Sequence, residues 1–279
     1  MASCFLFKAP SDSSDSPCMQ PHRAPGLAKA SPLMTAADDV IVIVPTYNEA
    51  ENLVAIAAAV RSHGYRLLVV DDDSPDGTGD IADRLAMDDE CVAVLHRDTK
   101  TGLGKAYAAG FARALELEGE VLCEMDADFS HDPADLPRLI AAIDEGADLA
   151  IGSRYVPGGG ADDWPWHRKA ISSAGNRYAS LMLGIKVKDA TAGFRAFRAD
   201  AIRRLTPETC DASGYAFQVE MAWRASEAGL KITEVPIRFR DREAGPSKMS
   251  SSIAIEAMGL VTRWGWQRRF GKSSRSVGQ

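Results

Sequence analysis

Residues 40–49 read Val40-Ile41-Val42-Ile43-Val44-Pro45-Thr46-Tyr47-Asn48-Glu49: five β-branched apolar residues in a row, then a proline and a polar cluster. A strand with one wet face alternates apolar and polar residues, whereas this run leaves no polar face, so it predicts a strand buried on both sides in a parallel sheet. Short apolar runs of the same kind recur at 67–72, 92–95, 121–126 and 148–152. Helical stretches lie between them at 50–62, 78–85, 104–117 and 135–145. Strand and helix in alternation predict an α/β fold in a single domain, with a mostly parallel sheet flanked by helices. Ligands then bind beyond the carboxyl ends of the strands. After Tyr155 the rhythm changes to a glycine-rich loop at 157–160, Trp164-Pro165-Trp166, helices near 171–183, 218–228 and 253–268, and a strand at 233–239.

The 279 residues are 46% hydrophobic and 25% charged, enough for a full core and unlike collagenous, disordered or disulfide-scaffold chains. No apolar run approaches the roughly 20 residues of a spanning helix. Cys4, Cys18, Cys91, Cys123 and Cys210 form no C-x-x-C pair, which speaks against a zinc site or disulfide framework and for a reducing compartment. The net charge of −7 is uneven: residues 263–279 carry Arg263, Arg268, Arg269, Lys272 and Arg275 with no acid, so the acidic excess lies in the body. An acidic body argues against nucleic acid as a partner. The basic tail suits an anionic membrane surface or simply solvent. Residues 1–38 read as a disordered extension rich in proline and serine, 39–262 as the catalytic domain and 263–279 as the tail, with Met34 the expected functional start.

Three strand ends finish in polar clusters: Pro45 to Glu49, Asp71-Asp72-Asp73-Ser74-Pro75-Asp76-Gly77-Thr78, and Asp126-Ala127-Asp128. Helix capping accounts for Asp76 and Thr78. It does not account for Asp126 and Asp128, which project the same way from an extended backbone and repel unless a hard divalent cation neutralises them. Gly102-Leu103-Gly104-Lys105-Ala106 fails as a phosphate loop, since residue 99 is Thr and residue 106 is Ala; it reads as a tight turn opening a helix. His131 reads as structural, and Trp164, Trp166, Trp264 and Trp266 as either core or a lipid-facing edge.

These motifs, with Ser130-His131-Asp132-Pro133, Gly152-Ser153-Arg154-Tyr155, Asp189 to Arg195, Gly214 to Met221 and Phe239 to Lys248, resemble the inverting family 2 glycosyltransferases of the A-type, Rossmann-like fold. Within them the chain is most similar to the dolichol-phosphate (polyprenol-monophosphate) mannose synthases. The resemblance implies mannose transfer from GDP-mannose to a polyprenyl phosphate with inversion, dependent on Mg2+ or Mn2+. It implies Asp126, Asp128 and Arg154 as catalytic residues, and Asp126, Asp128 and Ser130 at the metal; many relatives carry Gln at the position of Ser130. Donor binding falls to Pro45, Tyr47, Glu49, Val70, Asp72, Met125, Asp126, Ala127, Gln218, Arg242 and Lys248. The acceptor phosphate falls to Arg154, Arg195, Arg242 and Lys248. The expected place is the cytoplasmic face of a membrane, held peripherally or by an integral membrane partner. Glucose transfer from UDP-glucose is the alternative within the class, and a non-catalytic nucleotide-sugar-binding protein the alternative outside it.

Overall fold

The structure, a computed structural model, describes residues 34–210, 212, 214–241 and 251–270. Strands β1 (Val40–Thr46), β2 (Arg66–Asp71) and β3 (Val92–His96) alternate with helices α1 (Leu53–Arg61) and α2 (Thr78–Asp88). Helix α3 (Leu103–Glu116) leads to β4 (Val121–Glu124), and α4 (Leu136–Asp144) to β5 (Leu149–Ser153). Val40, Val42 and Val44 of β1 enter the apolar layer built with α1, α2 and α4, while Ile41 and Ile43 enter the opposite layer with Tyr107 and Phe111 of α3. The period of two along a strand thus explains why both residue sets of the run had to be apolar.

Beyond β5 come the short β6 (Gly160–Ala161), α5 (Trp166–Leu183), β7 (Arg195–Arg198), α6 (Ala199–Leu205), α7 (Tyr215–Glu227), β8 (Ile232–Pro236), β9 (Arg238–Phe239) and α8 (Ser251–Phe270). The main sheet has the order β3-β2-β1-β4-β7-β5-β8, and β6 pairs with β9 in a separate ladder. In the main sheet β7 alone runs antiparallel to its neighbours. From β1 the chain steps outward to β2 and β3, then returns to place β4 on the other flank of β1. The strand order reverses there, which makes the carboxyl ends of β1 and β4 the expected crevice for a ligand.

The sequence reading had no element at β7 or α6, and started α5 five residues late. The boundary at residue 262 falls inside α8, where Trp264 is buried and stacks on Trp223 of α7 at 5.7 Å between ring centroids. At the other end, Thr35 is already anchored: its N–H and hydroxyl both donate to Asp144 Oδ1, at 3.1 and 2.5 Å.

Candidate active site

Each of the three polar strand ends turns through a non-glycine residue in the left-handed region: Asn48 at φ 60° after β1, Asp73 at φ 56° after β2, and Phe129 at φ 57° after β4. Asn and Asp tolerate that region through local hydrogen bonding, whereas a bulky Phe there is unusual and marks a turn held by its surroundings. The first two ends are laced together. Asp76 accepts from the Thr78 N–H and hydroxyl (3.1 and 2.6 Å) and from the Ala50 N–H (3.1 Å), and Thr78 Oγ1 accepts from the Glu49 N–H (3.0 Å). The residues expected to cap a helix instead brace the β1 loop, since α2 begins at Thr78 with Gly77 at its N-cap and no side-chain capping bond there.

At the end of β4, Asp126 and Asp128 sit in different settings. The Asp126 side chain is about one-third open, with 30% of its surface exposed. Its Oδ1 accepts from the hydroxyl of buried Tyr107 at 3.3 Å. Asp128 is buried, and its Oδ1 accepts from the Ser130 N–H at 3.0 Å. His131 accepts from the Asp126 N–H through Nδ1 at 3.3 Å and stacks on Phe194 at 5.0 Å. Burial pulls the imidazole below its ordinary pKa against the opposing pull of Asp126 and Asp128, in keeping with an Nδ1 placed to accept. Among the described residues no group of three His, Cys, Asp or Glu side chains is placed to hold a metal. Two carboxylate donors suit a hard cation that takes its other ligands from phosphate oxygens and water, as Mg2+ and Mn2+ do, and Tyr107 and the Ser130 N–H orient one oxygen of each.

Arg154 follows β5 and is clamped by Asp189: Nε to Oδ2 at 2.8 Å, Nη2 to Oδ1 at 2.6 Å, and the Arg154 N–H to Oδ2 at 2.9 Å. Thr191 Oγ1 accepts from Nη2 at 2.9 Å. The rings of Trp164, Tyr155 and Phe239 surround the guanidinium at 5.2 to 5.5 Å. His131, bonded to the Asp126 N–H, meets the Phe239 ring edge-on at 5.7 Å, and Arg154 stands 5.5 Å from the same ring, which brings this cation to the side of the acidic turn. The Arg240 N–H donates to Ser130 O at 3.3 Å, which brings the chain leading into residue 242 against the acidic turn. Arg242 and Lys248 themselves lie outside the described residues.

On the β1 and β2 side, Lys100 Nζ stands 3.6 Å over the Tyr47 ring, and Arg97 Nη1 donates to Asp72 at 2.5 Å. Burial pushes the Asp72 carboxyl up and the Arg97 charge offsets it only in part. Arg97 and Lys100 were missed by motif reading. Both follow the end of β3, which the sheet order sets beside the end of β2. Pro45 and Glu49 share this edge. Val70, Met125 and Ala127 have buried side chains, which leaves them only the backbone for contact with a donor.

Two expectations need correction. Arg195 is fully buried and donates to Ala192 O and Ala190 O, each at 2.8 Å, so it sits inside the fold and offers no surface to a ligand. Gln218 is likewise enclosed, behind the acidic pair and not in an open donor cleft. Both border Glu124, which burial raises to a pKa of about 8, with Arg195 and Gln218 opposing the shift.

A profile of "Glycosyl transferase family 2" matches residues 41–206. A "Polyprenol monophosphomannose synthase" of Mycolicibacterium smegmatis is 49% identical over 237 residues, 84% of this chain and 89% of that protein. An "Undecaprenyl-phosphate mannosyltransferase" of Micrococcus luteus is 52% identical over 233 residues, 83% of this chain and 96% of that protein. Among solved structures, the glucosyl-3-phosphoglycerate synthase of Mycobacterium tuberculosis superposes with a TM-score of 0.57 at 19% identity, covering 86% of this chain and 83% of its own. The mannosyl-3-phosphoglycerate synthase of Rubrobacter xylanophilus gives 0.59 at 18% identity, covering 86% and 78%. Those two establish the A-type fold. With the profile spanning more than half of the sequence and two relatives at about half identity over most of their length, the chain belongs to glycosyl transferase family 2.

Proposed function

We propose that this protein transfers mannose from GDP-mannose to a polyprenyl phosphate with inversion. The observation that carries the reading is the likeness at 49% and 52% identity to two enzymes named for mannosyl transfer to polyprenyl phosphates, over nearly their whole length. Tyr47, Asp72, Arg97 and Lys100 form the donor side, at the β1 and β2 ends. Asp126 and Asp128 would hold Mg2+ or Mn2+, which supplies Lewis acidity at the leaving diphosphate. Asp189 fixes Arg154 beside the acidic pair, where its charge attracts phosphate. Arg242 and Lys248 are proposed phosphate ligands following Asp241. The acceptor needs no dedicated general base. A phosphate monoester has its second pKa near about 6 and is ionised at neutral pH. The test is transfer by the purified chain from labelled GDP-mannose and UDP-glucose, in parallel, to a polyprenyl phosphate and to the corresponding alcohol. Transfer from GDP-mannose to the phosphate alone, rising through about pH 6 with acceptor ionisation, is expected. An equally good alcohol acceptor would overturn both mechanism and substrate, and preference for UDP-glucose would overturn the donor.

A lipid acceptor requires a membrane surface, and no described helix is long and apolar enough to cross one. The end of α8 offers a docking face: Trp266 and Phe270 are 65% and 68% exposed, next to Arg263 and Arg269. Aromatic rings with basic neighbours suit the headgroup level of an anionic leaflet, here placed on the cytoplasmic side. Trp264 is excluded from this face because it is core. Trp266→Glu with Phe270→Glu is expected to reduce sedimentation with anionic vesicles at least about tenfold with the melting temperature unchanged, since each loses apolar insertion and gains repulsion. Unaltered vesicle binding would move the anchor to a membrane partner.

A further inference from the structure

Behind the acidic pair lies a polar set that the reaction above leaves unexplained. Glu124 ends β4 and Arg195 opens β7, and the antiparallel register sets them directly opposite one another. Paired residues project to the same face, so a carboxyl and a guanidinium face each other inside the sheet. Both are fully buried, and Gln218 of α7 closes the set. Gln218 also reaches toward the site: a Cβ added to Gly193 would stand 3.6 Å from His131 Cε1 and 4.0 Å from Gln218 Nε2. Two nitrogens of Arg195 are committed to the carbonyls of Ala192 and Ala190. Its Nη1, both oxygens of Glu124 and both amide atoms of Gln218 are buried without a well-formed hydrogen bond among the described residues, although Gln218 lies close enough to Glu124 to oppose its pKa shift.

Stability does not account for such a set. Buried ionisable groups regain their desolvation cost only with close, fully bonded geometry, and apolar side chains of the same volume often do as well or better. Its position accounts for it. Asp126 is two residues beyond Glu124, and the carbonyls gripped by Arg195 belong to the loop whose Asp189 clamps Arg154. Arg195 therefore stands opposite the strand that delivers the acidic pair while its side chain holds the loop whose Asp189 clamps the cation. Register is also at stake: a slip of one residue between β4 and β7 would swing Glu124 onto the opposite, apolar face and displace the turn that follows. The unmatched atoms include donors and acceptors in one enclosed place, the setting in which internal water makes about three hydrogen bonds.

We propose that Glu124, Arg195 and Gln218, joined by ordered water, are positioning residues that hold the turn carrying Asp126 and Asp128 in its metal-binding geometry. The inference rests on reading those two aspartates as metal ligands. The test is Mn2+ binding to the full chain with GDP present, read from the electron paramagnetic resonance of free Mn2+, with a thermal melt of each variant. Glu124→Gln and Gln218→Leu are expected to weaken Mn2+ binding by about 10- to 100-fold, as loss of orienting groups behind metal ligands does. A merely structural set would lower the melting temperature and leave Mn2+ affinity where it was, and that result would overturn the proposal. Asp128→Ala separates the two readings. If it loses Mn2+ while Glu124→Gln and Gln218→Leu bind like wild type, the positioning role fails and the metal site stands. If Asp128→Ala binds Mn2+ like wild type, the metal site fails and takes the positioning role with it. Should Glu124→Gln not fold, Gln218→Leu, which alters no charge, decides the matter on its own.

Discussion

Asp128→Ala is expected to abolish mannosyl transfer, by at least about a thousandfold, with the melting temperature within a few degrees of wild type. A thousandfold corresponds to about 4 kcal/mol of transition-state stabilisation, the scale on which a bound metal offsets charge developing on a leaving phosphate. Stability is spared because two effects cancel. Removing one of two neighbouring carboxylates relieves repulsion. The Ser130 N–H, which donates to Asp128 at 3.0 Å, loses its partner at a cost of about 1 kcal/mol or somewhat more. Asp126→Ala is a less clean experiment, because it also strands the hydroxyl of buried Tyr107. The check is transfer from labelled GDP-mannose beside a thermal melt. Near-wild-type transfer by Asp128→Ala in excess chelator would remove the metal from the mechanism.

What the sequence made legible was local. Five β-branched residues in a row encode a strand buried on both faces, and the repeated polar strand ends encode a ligand edge; both sit within a few residues of one another. Strand β7 is different. Its four residues, Arg195-Ala196-Phe197-Arg198, pair with β4 and β5, which lie more than 40 residues away, and no short-range period records that. Arg195 was consequently expected at the acceptor phosphate, since arginine is rarely buried, whereas its place opposite Glu124 in the sheet encloses it. The tryptophans of α8 were undecidable for a related reason. Trp264 and Trp266 are two residues apart, about 200° around a helix, so they must face opposite ways; only the packing of α8 against α5 and α7 determines which is core. Arg97 and Lys100 belong to no motif, and they become site residues only once the β3 end is seen beside those of β2 and β1.

Asp189→Ala carries the second large expected effect, this time on both stability and activity. Asp189 is fully buried and receives three hydrogen bonds from Arg154, whose side chain is itself only 9% exposed. Deleting one partner of a buried pair leaves a guanidinium enclosed among the rings of Trp164, Tyr155 and Phe239 with its carboxylate gone. Such losses run to about 3–5 kcal/mol, roughly 10 °C in melting temperature for a domain of this size. Asp189 is in turn set by Glu234, which accepts from the Lys188 and Asp189 N–H groups at 2.9 and 3.0 Å, so the clamp is braced from β8. Transfer should fall with stability in the single variant, which alone does not separate scaffold from function. Arg154→Met with Asp189→Ala does. With no buried charge left unpaired, the melting temperature is expected to recover most of the loss, while transfer stays low because the cation beside the acidic pair is gone. Recovery of transfer together with stability in the double variant would show that the clamp serves the fold alone.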